Sequence, residues 1–222
     1  MLSTDKILSY LAKILAVALV LSFHEFAHAY AAVRNGDITP KIYRRYTLNP
    51  LAHFDIIGLM MFVFVGFGWA KPVPINPSNF RKYKKGLFQV SVAGVVTNYC
   101  LAFIICPLFI LSYGLPDMLL FDELIQMFLY YCFWFNIISF VFNLLPFYPL
   151  DGFRVMEALN RKRGKIFTFL RNYSYYILLG LIIAGYLLDL MNLSQYDYFS
   201  IALNYLMYIF SIPLTAFWGL II

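Results

Sequence analysis

Residues 11–30 read LAKILAVALVLSFHEFAHAY. The first half suits lipid, and the second half carries His24, Glu25 and His28. Ionisable groups inside a membrane helix are costly and mark a function by default. In a helix, residues i and i+4 share one face. Both imidazoles can therefore point at one divalent metal ion, with Glu25 beside them to work on a water at that metal.

The composition puts this stretch in a membrane. The chain has 222 residues, a single domain by length, and 62% of them are hydrophobic. Ordinary globular domains hold roughly 45–50%. Charged residues make up only 13%, and the mean hydropathy is +0.74. A soluble protein of this size could not hide so much apolar surface, so the expectation is an all-α polytopic membrane protein. The net charge of +6 fits loops facing anionic lipid. No basic groove or arginine-rich tail points to nucleic acid. Cys100, Cys106 and Cys132 lie in apolar runs without a C-x-x-C pair and read as buried free thiols. Lys6 followed by an apolar run imitates a signal peptide, but no small-residue cleavage site precedes His24, so the helix reads as retained.

Six apolar stretches stand out, at about 8–32, 52–69, 88–115, 121–145, 174–191 and 199–222. A spanning helix needs about 20 residues, and five stretches supply them. The second is short, holds Gly58, Gly66 and Gly68, and runs into KPVPINP. Irregular backbone at membrane depth needs protein or a water-filled cavity around it. The expectation is five or six transmembrane helices with a re-entrant segment around 52–76.

Charge favours the re-entrant layout. If the second stretch turns back, every Lys and Arg except Lys6 and Lys13 lies on one face. Asp117, Asp122, Glu123 and Asp197 lie on the other. The positive-inside rule then makes the basic face cytoplasmic, with five spans and an outside N-terminus.

A catalytic zinc takes three protein ligands and a water. The residues leave the third ligand open among His53, Asp55, Asp151 and Glu157. Asp151 stands out, because it follows a membrane run and sits among Pro146, Pro149 and Gly152 in FNLLPFYPLDG. Depth agrees. A helix end near Val33 leaves His24 roughly 13 Å inside, and a boundary near Ala158 leaves Asp151 roughly 10 Å inside.

Four blocks in order then carry a resemblance. They are HEFAH at 24–28, GDITPKIYRRYTLNPLAHFD at 36–55, GWAKPVPINPSNFR at 68–81, and NLLPFYPLDG at 143–152. From about Leu15 to Asn160 the chain resembles the site-2 protease family of intramembrane zinc metalloproteases, peptidase family M50, in its compact bacterial-type branch without a PDZ or CBS domain. The resemblance implies one Zn²⁺ held by His24, His28 and Asp151, with Glu25 as catalytic base. Asn98 in GVVTNY would bind the substrate backbone or the oxyanion. The branch usually has proline where this chain has Val95 and Tyr148.

The implied layout is one membrane-embedded domain over 1–222. Its catalytic core is about 8–160, with two further helices at 174–191 and 199–222. The implied reaction is peptide-bond hydrolysis within or near a transmembrane segment of another membrane protein, in a cell membrane, most simply a bacterial inner membrane. Lipid is the other expected partner. Two rival classes are a metal or ion transporter and an inactive scaffold of the same fold. A transporter needs charged groups continuing across the bilayer, and 101–115 and 201–222 hold none. A scaffold has no need of Glu25. His53 and Asp55 read as structural. Trp69, Pro72 and Pro74 read as shaping the place where an unwound substrate adds as a strand.

Overall fold

The computed structural model describes residues 4–58, 61, 68–114, 120–160 and 163–222. In chain order the helices are α1 (Thr4–Arg34), α2 (Thr39–Ile42), α3 (Pro50–His53), α4 (Tyr83–Ser112), α5 (Leu120–Leu144), α6 (Asp151–Leu159), α7 (Lys165–Leu190) and α8 (Tyr198–Gly219). Helices α1, α4, α5, α7 and α8 are long and apolar enough to cross a bilayer. There is no sheet among the described residues. The chain is an all-α, multi-pass membrane protein.

Helices α1, α4 and α5 pack on one another and form the centre. Ala12, Ala16, Ala29 and Ala32 of α1 are fully buried. In lipid, small residues let helix backbones approach, and this contact supplies the packing that the hydrophobic effect supplies in water. The core continues through Ile105 and Cys106 of α4, Phe133 and Ile137 of α5, and Leu214 of α8. All three cysteines are free. Cys106 and Cys132 are buried as expected, whereas Cys100 is exposed.

Helix α1 ends where glycine permits. Gly36 has φ +107, Gly36 N–H donates to Val33 O at 3.1 Å, and Asp37 N–H donates to Ala32 O at 3.0 Å. This pattern satisfies the last carbonyls of the helix through a left-handed residue. Asp37 follows at once and is fully buried. Its carboxylate accepts Thr39 N–H at 3.0 Å, Asn76 N–H at 2.7 Å and Asn79 Nδ2–H at 2.8 Å. One acid thus ties the chain after α1 to the chain before α4. Burial by itself would raise the carboxyl pKa. The hydrogen bonds from Thr39, Asn79 and Asn76 outweigh it and hold the carboxyl below its ordinary value.

The re-entrant reading of 52–76 includes residues 59–60 and 62–67, which lie outside the described residues. Both ends of the excursion are described. Phe54 and Ala70 pair as an isolated antiparallel bridge, and Lys71 N–H donates to His53 O at 2.8 Å. Phe54 and Ala70, and with them His53 and Lys71, therefore lie side by side.

Two elements prepare the far side of the site. After α5 the chain turns over 145–150, which include a cis Tyr148–Pro149 peptide, and restarts as α6 at Asp151. Helix α7 begins at Lys165, well before the apolar stretch at 174–191. Lys165 and Arg171 dilute the hydropathy of that first part, yet Phe167 packs on Phe153 with ring centroids 5.2 Å apart. Ser174 Oγ accepts Tyr148 N–H at 2.7 Å, which fixes α7 to the turn.

Candidate metal centre

His24 and His28 sit one turn apart on the buried face of α1, and both are about 5% exposed. Their Nε2 atoms lie 3.0 Å apart. Asp151, the first residue of α6, brings Oδ2 to 3.3 Å from His24 Nε2 and 3.0 Å from His28 Nε2. The three residues form a group able to hold one metal ion.

The second nitrogens decide what the group can do. His28 Nδ1 lies 2.7 Å from Val90 O. A carbonyl only accepts, so Nδ1 carries the proton and Nε2 of a neutral ring offers a lone pair. His24 Nδ1 faces Asn98 Oδ1 at 2.5 Å and is placed in the same way. Asp151 Oδ2 is buried and has no hydrogen-bond donor. Two lone pairs and a carboxylate oxygen thus converge in a buried place, and a cation satisfies all three. The spacing suits zinc. Bonds of about 2.0–2.1 Å in a tetrahedron put ligand atoms about 3.3 Å apart.

Helix α4 makes the room. A Cβ on Gly94 would stand 2.5 Å from His24 Cε1 and 2.7 Å from His24 Nε2, and it would also strike His28 Nε2. A glycine here lets the α4 backbone lie against both rings.

Glu25 is the residue next to His24 on α1. Its Oε2 accepts Val73 N–H at 2.8 Å from the irregular stretch that leads from Ala70 toward Asn76. That stretch holds Pro72 and Pro74, and Val73 between them is buried. Asn98 is fully buried behind His24. Its Oδ1 is on His24 and its Nδ2 donates to Asn136 Oδ1 at 2.9 Å.

The other third-ligand candidates lie apart from the cluster. His53 is buried, and its Nε2 donates to Thr47 O at 2.8 Å at the base of the excursion. Asp55 Oδ1 accepts Gly58 N–H at 2.9 Å. Glu157 faces Arg163 at 3.7 Å and Arg171 at 3.9 Å. Asn143 donates to Ser139 O at 3.0 Å within its own helix. Sequence reasoning missed Asp37, the Val73 amide and Asn136. Asn136 leaves no distinct signal, because Gln126 and Asn143 are amides in the same apolar run.

A family profile described as peptidase family M50 matches residues 117–185, which include Asp151. The Bacillus subtilis (strain 168) protein named "Putative zinc metalloprotease YwhC" is 42% identical over 149 residues, covering 65% of this chain and 68% of that protein. The chain belongs to peptidase family M50. No solved structure is significantly similar to it. M50 membership and the His24–His28–Asp151 group together make this a membrane-embedded protein equipped for zinc proteolysis.

Proposed function

We propose that this M50 protein is an intramembrane zinc metalloendopeptidase that hydrolyses a peptide bond within or near a transmembrane segment of another membrane protein. The carrying observation is the buried convergence of His24 Nε2, His28 Nε2 and Asp151 Oδ2 on a membrane helix. These three residues are the ligands in this reading. A zinc ion bound there would supply an acidified water and a polarised scissile carbonyl.

The chain's own residues do the rest. Glu25 takes the proton of the attacking water and delivers it to the departing amine. Its hydrogen bond from Val73 N–H fixes one carboxylate oxygen and leaves the other for that proton. The family resemblance implies Asn98 at the oxyanion or the substrate backbone. Its contacts favour a different role, holding the His24 ring, because its oxygen is on His24 and its amide nitrogen is on Asn136. The irregular stretch around Pro72 and Pro74 is the edge on which an unwound substrate adds. A substrate helix hides its carbonyls in internal bonds and must open before attack.

The catalytic core is about 8–160, and α7 and α8 are additions to it. Every group named above lies within that core, and α7 buries little beyond Phe167, Ser174 and Leu178. The basic face is cytoplasmic and the location is a cell membrane. Zinc removal tests the reading. Chelated protein in proteoliposomes should lose cleavage of a model transmembrane substrate, and one equivalent of Zn²⁺ should restore it. Full cleavage by metal-free protein would refute the reading.

A further inference from the structure

Two buried amides stand between His24 and a backbone carbonyl of α5. Asn136 Nδ2 donates to Cys132 O at 2.8 Å. Asn98 Nδ2 donates to Asn136 Oδ1 at 2.9 Å. Asn98 Oδ1 faces His24 Nδ1 at 2.5 Å. Both asparagines are fully buried.

The order of these contacts has one consistent orientation. A backbone carbonyl can only accept. The amide nitrogen of Asn136 must therefore face Cys132, which turns the Asn136 oxygen toward Asn98. Asn98 must then meet it with nitrogen, which turns the Asn98 oxygen toward His24. That oxygen accepts, so His24 Nδ1 carries hydrogen and Nε2 keeps its lone pair for the side where His28 and Asp151 converge. Flipping either amide would set like groups against each other where no water can repair the mismatch. Ser139 Oγ lies 3.3 Å from Asn98 Oδ1, and its hydroxyl can donate there in this orientation. His28 needs no such relay, because Val90 O on α4 reaches its Nδ1 directly.

We propose that Asn136 is a positioning residue of the metal centre: through Asn98 it sets the tautomer and orientation of the His24 ring, and the Cys132 carbonyl is the fixed end of the relay. The consequence for zinc rests on the reading of His24 as a ligand. The consequence for the tautomer does not.

The chain has three histidines, so imidazole nitrogen NMR can resolve them. The full-length protein would be labelled with ¹⁵N-histidine and studied metal-free in nanodiscs at a pH where the rings are neutral. The wild type should show Nδ1–H at both His24 and His28. Asn136→Leu should give mixed tautomers at His24 and leave His28 unchanged, which is an internal control for folding. Its zinc affinity, measured by chelator competition, should fall about tenfold, as for other outer-sphere partners. In Asn98→Asp/Asn136→Leu a carboxylate that only accepts replaces the relay, and both the tautomer and the affinity should return. An unchanged His24 tautomer in Asn136→Leu would overturn the proposal, and so would a double variant no better than the single one. If Asn136→Leu disturbs His28 as well, Asn136→Ala is judged by the same criteria. A wild type that shows the tautomers but binds no zinc would refute the metal reading and leave the relay standing.

Discussion

At the residue scale, the metal group depends as much on an absent side chain as on the three that converge. Gly94 lies where a Cβ would collide with both histidine rings. Gly94→Ala keeps a good helix former on α4, so the helix should persist while the rings are pushed apart. Zinc affinity should fall by about 100-fold, the upper range for changes next to metal ligands, with little change in Tm. Chelator competition and a thermal melt on the same sample check this, and unimpaired zinc binding would count against the geometry. The two histidines were legible from i, i+4 spacing, and Asp151 from a carboxylate beside a proline-broken membrane run. The Gly94 cradle, the Val73 amide and Asn136 were not. Each owes its role to a residue far away in sequence, and no local pattern encodes that.

At the element scale, the stretch from Ala70 to Asn79 is held by two acids of different kinds. Glu25 takes Val73 N–H, and Asp37 takes Asn76 N–H and the Asn79 amide. The Asp37 pin keeps the stretch in register with Glu25. Asp37→Asn puts an amide where Asn79 donates, and losing hydrogen bonds to a buried charge costs about 1.5–3 kcal/mol each. Faster hydrogen exchange at 73–79 is the expected readout. The pH dependence has a definite sign. The folded carboxyl lies below its ordinary value. Its stabilisation is therefore full above the unfolded value of about 3.9 and is lost as pH falls through the lower folded value. Wild type and Asp37→Asn should differ at neutral pH and converge at strongly acid pH. A gap that widens on acidification would contradict the pin. Long apolar runs made the spanning helices legible. The first part of α7 was not, because Lys165 and Arg171 lower its hydropathy while Phe167 still packs inward.

At the scale of the whole molecule, the Phe54–Ala70 bridge brings the segments around 34–54 and 70–83 to one side. The charge count favours a layout in which these basic segments share the cytoplasmic face, and labelling tests it. In a chain without its native cysteines, Lys41→Cys and Lys84→Cys should react with an impermeant thiol reagent only from the cytoplasmic side. Gln195→Cys should react only from outside. All three positions are exposed. Labelling of 41 and 84 from opposite sides would break the layout.

The central claim joins a buried metal group to a proton-handling carboxylate, and Glu25 tests it most directly. Zinc-loaded wild type and Glu25→Gln would be reconstituted with the same transmembrane substrate, with zinc content measured in both. The account predicts equal zinc and a loss of cleavage in Glu25→Gln of about 10²–10⁴-fold, the usual contribution of a positioned acid–base group. Equal zinc with equal cleavage would contradict it.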